Sequence, residues 1–446
     1  MALMDAFSST PDIGKVFSDR CRLQRMLDFE AALARAEARC GVIPGNAAEV
    51  IASKCKIELL DIAQITQATK QSANPAIPLI KQLTHLVDRE DNLAARFVHW
   101  GATSQDLNDT GLILQIREAW TILEADLQAL STASIDLARK HRSTIILGRT
   151  LMQQAVPTTF GAKVAGWLDA MNRHRERLRQ VATRLFVLQF GGAVGTLAAL
   201  QDKGSVVAEA LADELKLGLS NIPWHTHRDR LVETTTTLGL FTGTLGKIAR
   251  DISLHMQPEI GEVYEPADEG RGSSSTMPHK RNPVSCASVL ASAVRVPGLV
   301  STMMHAMVQE DERGLGNWHA EWETLPEVFR LTASALRQLR EIVPRLEINT
   351  ERMQRNIEMT RGLVFGEAIS MALAGSIGKS SAHSIVEAAS KRALATGKHL
   401  CDELLEDADV RKILSPADLK QLFSPENYLG SAEEFVDRVL AASKNA

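Results

Sequence analysis

The sequence predicts an all-α protein organised around an elongated bundle of long helices. Three observations carry this expectation. Apolar residues recur at steps of three and four over stretches of some 25 residues, and nothing reads as a β-hairpin or a βαβ unit. The composition is rich in Ala and Leu, with 2 Tyr and 4% aromatics in 446 residues, which favours helix over sheet. At a rise of 1.5 Å per residue, such seams imply helices of roughly 40 Å.

This length holds two or three domains and a large core, and punctuation divides the chain into three helical segments, 1–110, 111–350 and 351–446. In the first, Asp19 to Cys40 reads as one amphipathic helix, stopped by Gly41 and Pro44. Asn74-Pro75 and Pro78 mark a further turn. The second holds three seams. Ile113, Ile116, Trp120, Leu123, Leu127, Leu130 and Leu137 form one, with Ser134 filling a gap. Phe160, Val164, Leu168, Met171, Leu178 and Leu185 form another, and Leu231, Leu238, Phe241, Leu245, Ile248, Ile252 and Met256 a third. Helices with more than one apolar stripe bury one another in a bundle. In the third segment Gly375, Gly378, Pro416 and Pro425 separate short helices, with no catalytic pattern.

A net charge of −4 gives no sign of a nucleic-acid surface. Cys21, Cys40, Cys55, Cys286 and Cys401 are odd in number and lack metal or CxxC spacing, as expected of reduced thiols in a cytosolic protein. Met1-Ala-Leu-Met-Asp5 lacks the basic start of a signal peptide, and no apolar run reads as long enough to span a bilayer. The expectation is a soluble cytoplasmic protein with no membrane partner, no cofactor and no metal. His225 and His227 form a His-x-His pair with no third ligand, and surface or capping roles account for them equally well.

Chemistry concentrates in Gly270-Arg-Gly-Ser-Ser-Ser-Thr-Met-Pro-His-Lys-Arg-Asn-Pro283. Two glycines and three serines let the backbone turn several N–H groups toward one point, and Lys280, Arg281 and Asn282 make the loop a cradle for an anion. Pro278 and Pro283 keep the basic triplet out of helix. Such composition otherwise means a flexible linker, but a linker has no need of Met-Pro-His-Lys-Arg-Asn-Pro.

Ser274 to Pro283 resembles the signature loop of the fumarase/aspartase superfamily. That group includes fumarase, adenylosuccinate lyase, argininosuccinate lyase and the bacterial carboxymuconate cycloisomerases. The resemblance implies a homotetramer whose active sites are each shared by three subunits. By its place in the motif Ser274 is the acid/base, with Lys280 and Asn282 binding substrate. His99-Trp-Gly-Ala-Thr-Ser-Gln-Asp106 is similar to the first substrate-binding segment of the branch that joins adenylosuccinate lyase and the cycloisomerases, so His99, Thr103 and Ser104 carry over. The same stretch also reads as helix capping, through Asp106, Asn108, Asp109 and Thr110, and both roles can hold together. Gly148-Arg-Thr-Leu-Met-Gln-Gln-Ala-Val-Pro157 resembles the second motif, which brings in Gln153.

One departure stands out. Most of the superfamily has a histidine where this chain has Leu151, and fumarase-like members pair it with a glutamate ten residues past the loop methionine, here Ala287. Losing both partners together fits chemistry whose leaving group is a carboxylate, which departs as a stable anion without a proton. Lactone formation meets that condition. Pro223-Trp-His-Thr-His-Arg-Asp229 and Asn317-Trp-His-Ala-Glu-Trp-Glu-Thr-Leu-Pro326 also resemble the cycloisomerases. This reading makes Arg228, Arg313 and Lys280 candidates for gripping a tricarboxylate, although Arg313 reads equally as a helix-end ion pair and His279 as a loop surface residue. Adenylosuccinate lyase chemistry and a non-catalytic scaffold of the same fold stay open beside the cycloisomerase.

Overall fold

The computed structural model describes residues 4–268, 270–273, 276–277 and 279–443. Its long helices follow the seams. Helix α1 spans Asp19–Arg39, α2 Ser104–Lys140, α3 Phe160–Leu185, α4 Asp229–His255, α5 Val284–Ala306 and α6 Asn317–Ile342. The Ser18 hydroxyl accepts from the Cys21 N–H at the start of α1, and Gly41, at φ 69°, follows its end. Along α2, Ile113 through Leu130 are buried, but at the last position of the seam Leu137 is only half-buried and Ala138 takes the core. A 3.6-residue turn drifts against a 3.5-residue pattern, so the buried stripe has moved by one residue there. The other two seams are buried throughout.

Contacts divide the chain into two compact units. One takes in the residues up to Leu127, His174–Leu245 and Ser288–Arg337; the other Gln128–Arg173, Gly246–Ala287 and the chain from Gln338. These do not coincide with the three sequence segments, because the long helices contribute residues to both. Within the first unit Trp120 of α2 packs on Phe329 of α6, and His174 of α3 lies against Phe241 of α4. The Thr242 and Thr332 hydroxyls bond at 2.8 Å between α4 and α6. Within the second, Trp167 of α3 donates to Asp251 of α4 at 2.8 Å, and the C-terminal helices close a core of their own around Phe365, Ile369, Leu373, Leu400 and Leu404.

Two expectations are corrected. Residues 145–159 do form a hairpin, β1 (Ile145–Thr150) antiparallel to β2 (Gln153–Thr159). Its turn is Leu151-Met152, both at positive φ, 49° and 66°. Tight hairpin turns ordinarily announce themselves with Asn-Gly or Gly, and this one carries no such signal. A short antiparallel pair, β3 (Val263–Tyr264) with β4 (Glu347–Ile348), also forms. Second, α5 is long and apolar enough to cross a membrane by length and composition. It nevertheless carries Arg295, His305 and several serines, and buries Cys286, Val289, Val296 and Met303 on one face, the pattern of a helix packed against protein.

One core residue is out of keeping with its surroundings. Glu37 on α1 is wholly buried and neither carboxylate oxygen has a hydrogen-bond partner among the described residues. Burial, with Glu30 adding repulsion, pushes its carboxyl up to about 9. The folded protein therefore holds a proton there that the unfolded chain releases near 4.5, so stability falls as pH rises between those values. Glu37→Met is expected to raise stability at pH 8 by on the order of 5 kcal/mol, and the melting temperature with it, and to leave both nearly unchanged at pH 4. Thermal melts of both proteins across that range check this.

Candidate active site

In the first unit the site grows from the start of α2. His99, at φ 59°, and Gly101, at φ 70°, turn the chain sharply before Ser104 enters the helix. A Cβ on Gly101 would lie 2.7 Å from the Leu200 side chain, so the close approach requires glycine. Asp106, fully buried, gathers this region. It accepts from the N–H groups of Thr103 (3.0 Å), Gly191 (3.0 Å) and Gly192 (2.9 Å), and its Oδ1 lies 2.7 Å from His225 Nε2. The capping role expected of Asp106 is real, and it extends to two further segments. One, Phe190-Gly-Gly-Ala-Val-Gly-Thr196, went unread in the sequence although its glycines were a visible signal.

The candidate residues settle unequally around this hub. Thr103 accepts at 3.0 Å from an Arg313 guanidinium N–H, and Arg313 also donates to the Ala193 carbonyl at 2.9 Å. Arg313 sits in a loop and forms no salt bridge among the described residues, so the helix-end ion pair is not what the fold makes of it. Ser104 accepts at 3.0 Å from the Asn74 amide, which holds Asn108 as well. Asn74 was legible only as a turn residue. His99 keeps its Nδ1 2.6 Å from Glu30. These four candidates therefore meet in one region.

Arg228 does not join them at the surface. Its side chain is fully buried and gripped on two sides, by Asp109 at 2.6 and 3.0 Å and by Glu321 at 2.6 to 3.1 Å. Trp318 donates to Asp109 and Gln309 to Glu321. A guanidinium saturated by two carboxylates has no free face for a third. The expectation that Arg228 grips substrate gives way to a structural ion triad beneath the site. His225, expected at the surface or as a cap, is instead buried on Asp106, whereas His227 is exposed.

The second unit holds the other two motifs. Arg149 on β1 makes a two-point ion pair with buried Glu262, at 2.8 and 2.9 Å, and Glu262 also accepts from Asn356 (2.7 Å) and pairs with His255 (2.8 Å). This fastens a hairpin whose tip stands out: Leu151 is 96% exposed, Met152 67%, and Gln153 is exposed beside them. Ala287 is exposed as well. The two positions vacated by the histidine–glutamate pair are thus open on this chain.

The signature loop is clamped at its base. Asn282 donates twice to the Gly272 carbonyl, from its backbone N–H (3.0 Å) and its amide (3.1 Å). Gly272 takes φ 63°, and a Cβ there would meet Asn282 at 2.5 Å. Buried Glu265 receives the Ser285 and Cys286 N–H groups at the start of α5, and Arg271 donates to the Ser285 hydroxyl. Arg281 stacks on Tyr264 and pairs with Glu347. His279 and Lys280 are exposed and line a cavity of about 1130 Å³ with Met256, Tyr264, Arg281 and Glu347. Ser274, the acid/base expected from the motif, lies outside the described residues. Among the described residues no cluster of ligating side chains could hold a metal ion.

The sequence profile described as lyase matches residues 6–298, and that of the adenylosuccinate lyase C-terminus matches residues 362–439. A 3-carboxy-cis,cis-muconate cycloisomerase of Pseudomonas aeruginosa is 53% identical over 98% of this chain and 96% of its own. One from Acinetobacter baylyi is 49% identical over 97% and 96%. The crystal structure of the 3-carboxy-cis,cis-muconate lactonizing enzyme of Pseudomonas putida superposes with a TM-score of 0.95 at 49% identity, covering 99% of each chain.

Glu262 offers a test of how the hairpin is held. Burial alone would raise its pKa, but hydrogen bonds from His255, Arg149 and Asn356, with the charge of Arg149, bring it down to about 2. Its contribution is complete above the unfolded value of 4.5 and disappears as pH falls toward 2. Glu262→Gln is expected to cost on the order of 3 kcal/mol at pH 7, and the deficit relative to wild type is expected to shrink through that acid window. Denaturant melts at a series of pH values measure it.

Proposed function

The chain belongs to the fumarase/aspartase superfamily of lyases, and we propose that it interconverts 3-carboxy-cis,cis-muconate and 4-carboxymuconolactone. The observation that carries this reading is the agreement of near full-length similarity with a vacated histidine–glutamate pair, Leu151 and Ala287. The protein is an intramolecular lyase, an isomerase, and its reaction belongs to the protocatechuate branch of the β-ketoadipate route of aromatic degradation. Five unpaired cysteines support a cytoplasmic setting.

In the lactone-forming direction one substrate carboxylate oxygen attacks a carbon of the substrate's own double bond. The displaced electron pair moves onto the adjacent carboxylate as an aci-carboxylate, and a proton is then delivered to the carbon beside it. Ser274 supplies that proton. In reverse its alkoxide removes the proton, and the carboxylate leaves as a stable anion with no acid to assist it. The aci-carboxylate carries two negative charges, so donors must be aimed at its oxygens. Lys280 and the loop amides do this, while Asn282 keeps the loop shaped through Gly272. On the other motif, Arg313, Thr103, Ser104 and His99 hold the remaining carboxylates, and Gln153 contributes from the hairpin.

The enzyme works as a homotetramer with sites shared between subunits. Apolar side chains stand in water on this chain, among them Val294 on α5 at 79% and Leu240 on α4 at 55% in the first unit, and Leu151 and Met152 in the second. Such surface supports burial against further copies. Mixing an inactive His99→Gln protein with an inactive Ser274→Ala protein is expected to restore part of the activity once subunits exchange. No recovery after demonstrated exchange would place the whole site in one chain.

The direct test is to follow the diene absorbance of 3-carboxy-cis,cis-muconate. Wild type is expected to deplete it, and Ser274→Ala to bind substrate while losing about 10²–10⁴-fold in turnover. Efficient cleavage of adenylosuccinate by the wild type would overturn the reading.

A further inference from the structure

His99 is built as one half of a pair. Its Nδ1 lies 2.6 Å from Glu30 Oε1, and the Glu30 side chain is wholly buried on α1. Glu30 Oε2 has no partner, so among the described residues His99 is the one group hydrogen-bonded to this carboxyl. The imidazole itself is 18% exposed, and its Nε2 has no hydrogen-bond partner among the described residues. One ring nitrogen is thus anchored inside while the other is left for a ligand. We propose that Glu30 is a positioning residue that keeps His99 as an imidazolium, a fixed cation for a substrate carboxylate rather than a proton shuttle. This rests on the cycloisomerase reading for the identity of the carboxylate, but not for the charge state.

The groups around the ring favour the charge. From α1 come Glu30 and Glu37, the latter neutral because burial holds its proton. From the start of α2 comes Asp106, engaged by His225. The loop carrying Arg313 brings one cation, already bonded to Thr103 and Ala193. The segment that packs Leu200 on Gly101 also carries Lys203, which donates to the Cys40 and Gly41 carbonyls. Burial opposes an imidazolium, but the charge and hydrogen bond of Glu30, helped by Asp106, outweigh it and raise the His99 pKa. An imidazolium donates from Nε2 and cannot accept there. It can bind a carboxylate but cannot take a proton from carbon.

The cation is present below the raised pKa and lost as pH rises through it. KM in wild type is therefore expected to stay flat across neutrality and to climb at higher pH. Glu30→Gln is expected to raise KM about tenfold at pH 8, to move that climb at least about one unit toward acid, and to leave kcat nearly unchanged. A fall in kcat with KM unmoved would make His99 a shuttle and overturn the proposal, as would an unshifted climb. A second readout needs neither substrate nor the variant. Diethyl pyrocarbonate acylates only neutral imidazole, and peptide mass spectrometry of the intact protein gives the pH midpoint for His99 beside exposed His227. A wild-type His99 midpoint at or below that of His227 overturns the proposal even if Glu30→Gln fails to fold. Glu30→Asp, which keeps the charge, is expected to hold the midpoint up. If instead carboxymuconate is not turned over, the functional reading fails while the titration still decides the charge.

Discussion

The carboxylate of Asp106 is the contact on which the candidate cluster of the first unit depends. Three segments far apart in sequence, 99–103 leading into α2, 190–197 and 223–228, are not joined to one another by strand pairing. They meet because one buried anion accepts from Thr103, Gly191 and Gly192 and pairs with His225. A buried carboxylate is costly without such compensation, so the fold cannot shift one segment without exposing the charge to the others. One turn along α2, Asp109 repeats the device with Arg228 and Glu321. Two stacked polar clusters thus replace what a hydrophobic core would do, and they define a geometry where apolar packing would define only a volume.

The second unit uses the same principle for different ends. Glu262 locks the hairpin through Arg149, and Glu265 locks the exit of the signature loop by capping α5. In both places a buried glutamate accepts from donors of neighbouring segments and fixes the base of the element that carries motif residues. The Gly272–Asn282 clamp serves the loop in the same way. What the motif residues share is therefore support at their roots, with Lys280 and Gln153 standing exposed beyond it.

The positions of Leu151 and Ala287 add to the chemical reading of the missing pair. An apolar niche would have predicted that restoring the histidine and glutamate destabilises the fold by burying two polar groups. Both positions are exposed on a single chain, so such a penalty arises only where further copies cover them. Their apolar character is then a property of the surface they present, in keeping with a site whose leaving carboxylate needs no proton.

The sequence by itself determined the helices, the signature loop and the family resemblance. Each rests on local information: a 3.6-residue period that puts Ile113, Ile116 and Trp120 on one face, or ten residue types in fixed order. Gly41 and Asp106 announced a helix end and a helix start for the same reason. What only the tertiary structure decided is which charges meet. Arg228 reads as a substrate grip until Asp109, 119 residues away, and Glu321, 93 residues away, are seen to close around it. Glu30 reads as one more polar position on an amphipathic helix until His99 arrives 69 residues later. The hairpin at 145–159 hid for a related reason, since its turn uses Leu151-Met152 in left-handed backbone where glycine or asparagine would have shown it. Periodicity repeats within a few turns and can be read from neighbours; a buried ion pair is a coincidence of two distant points, and folding alone brings them together.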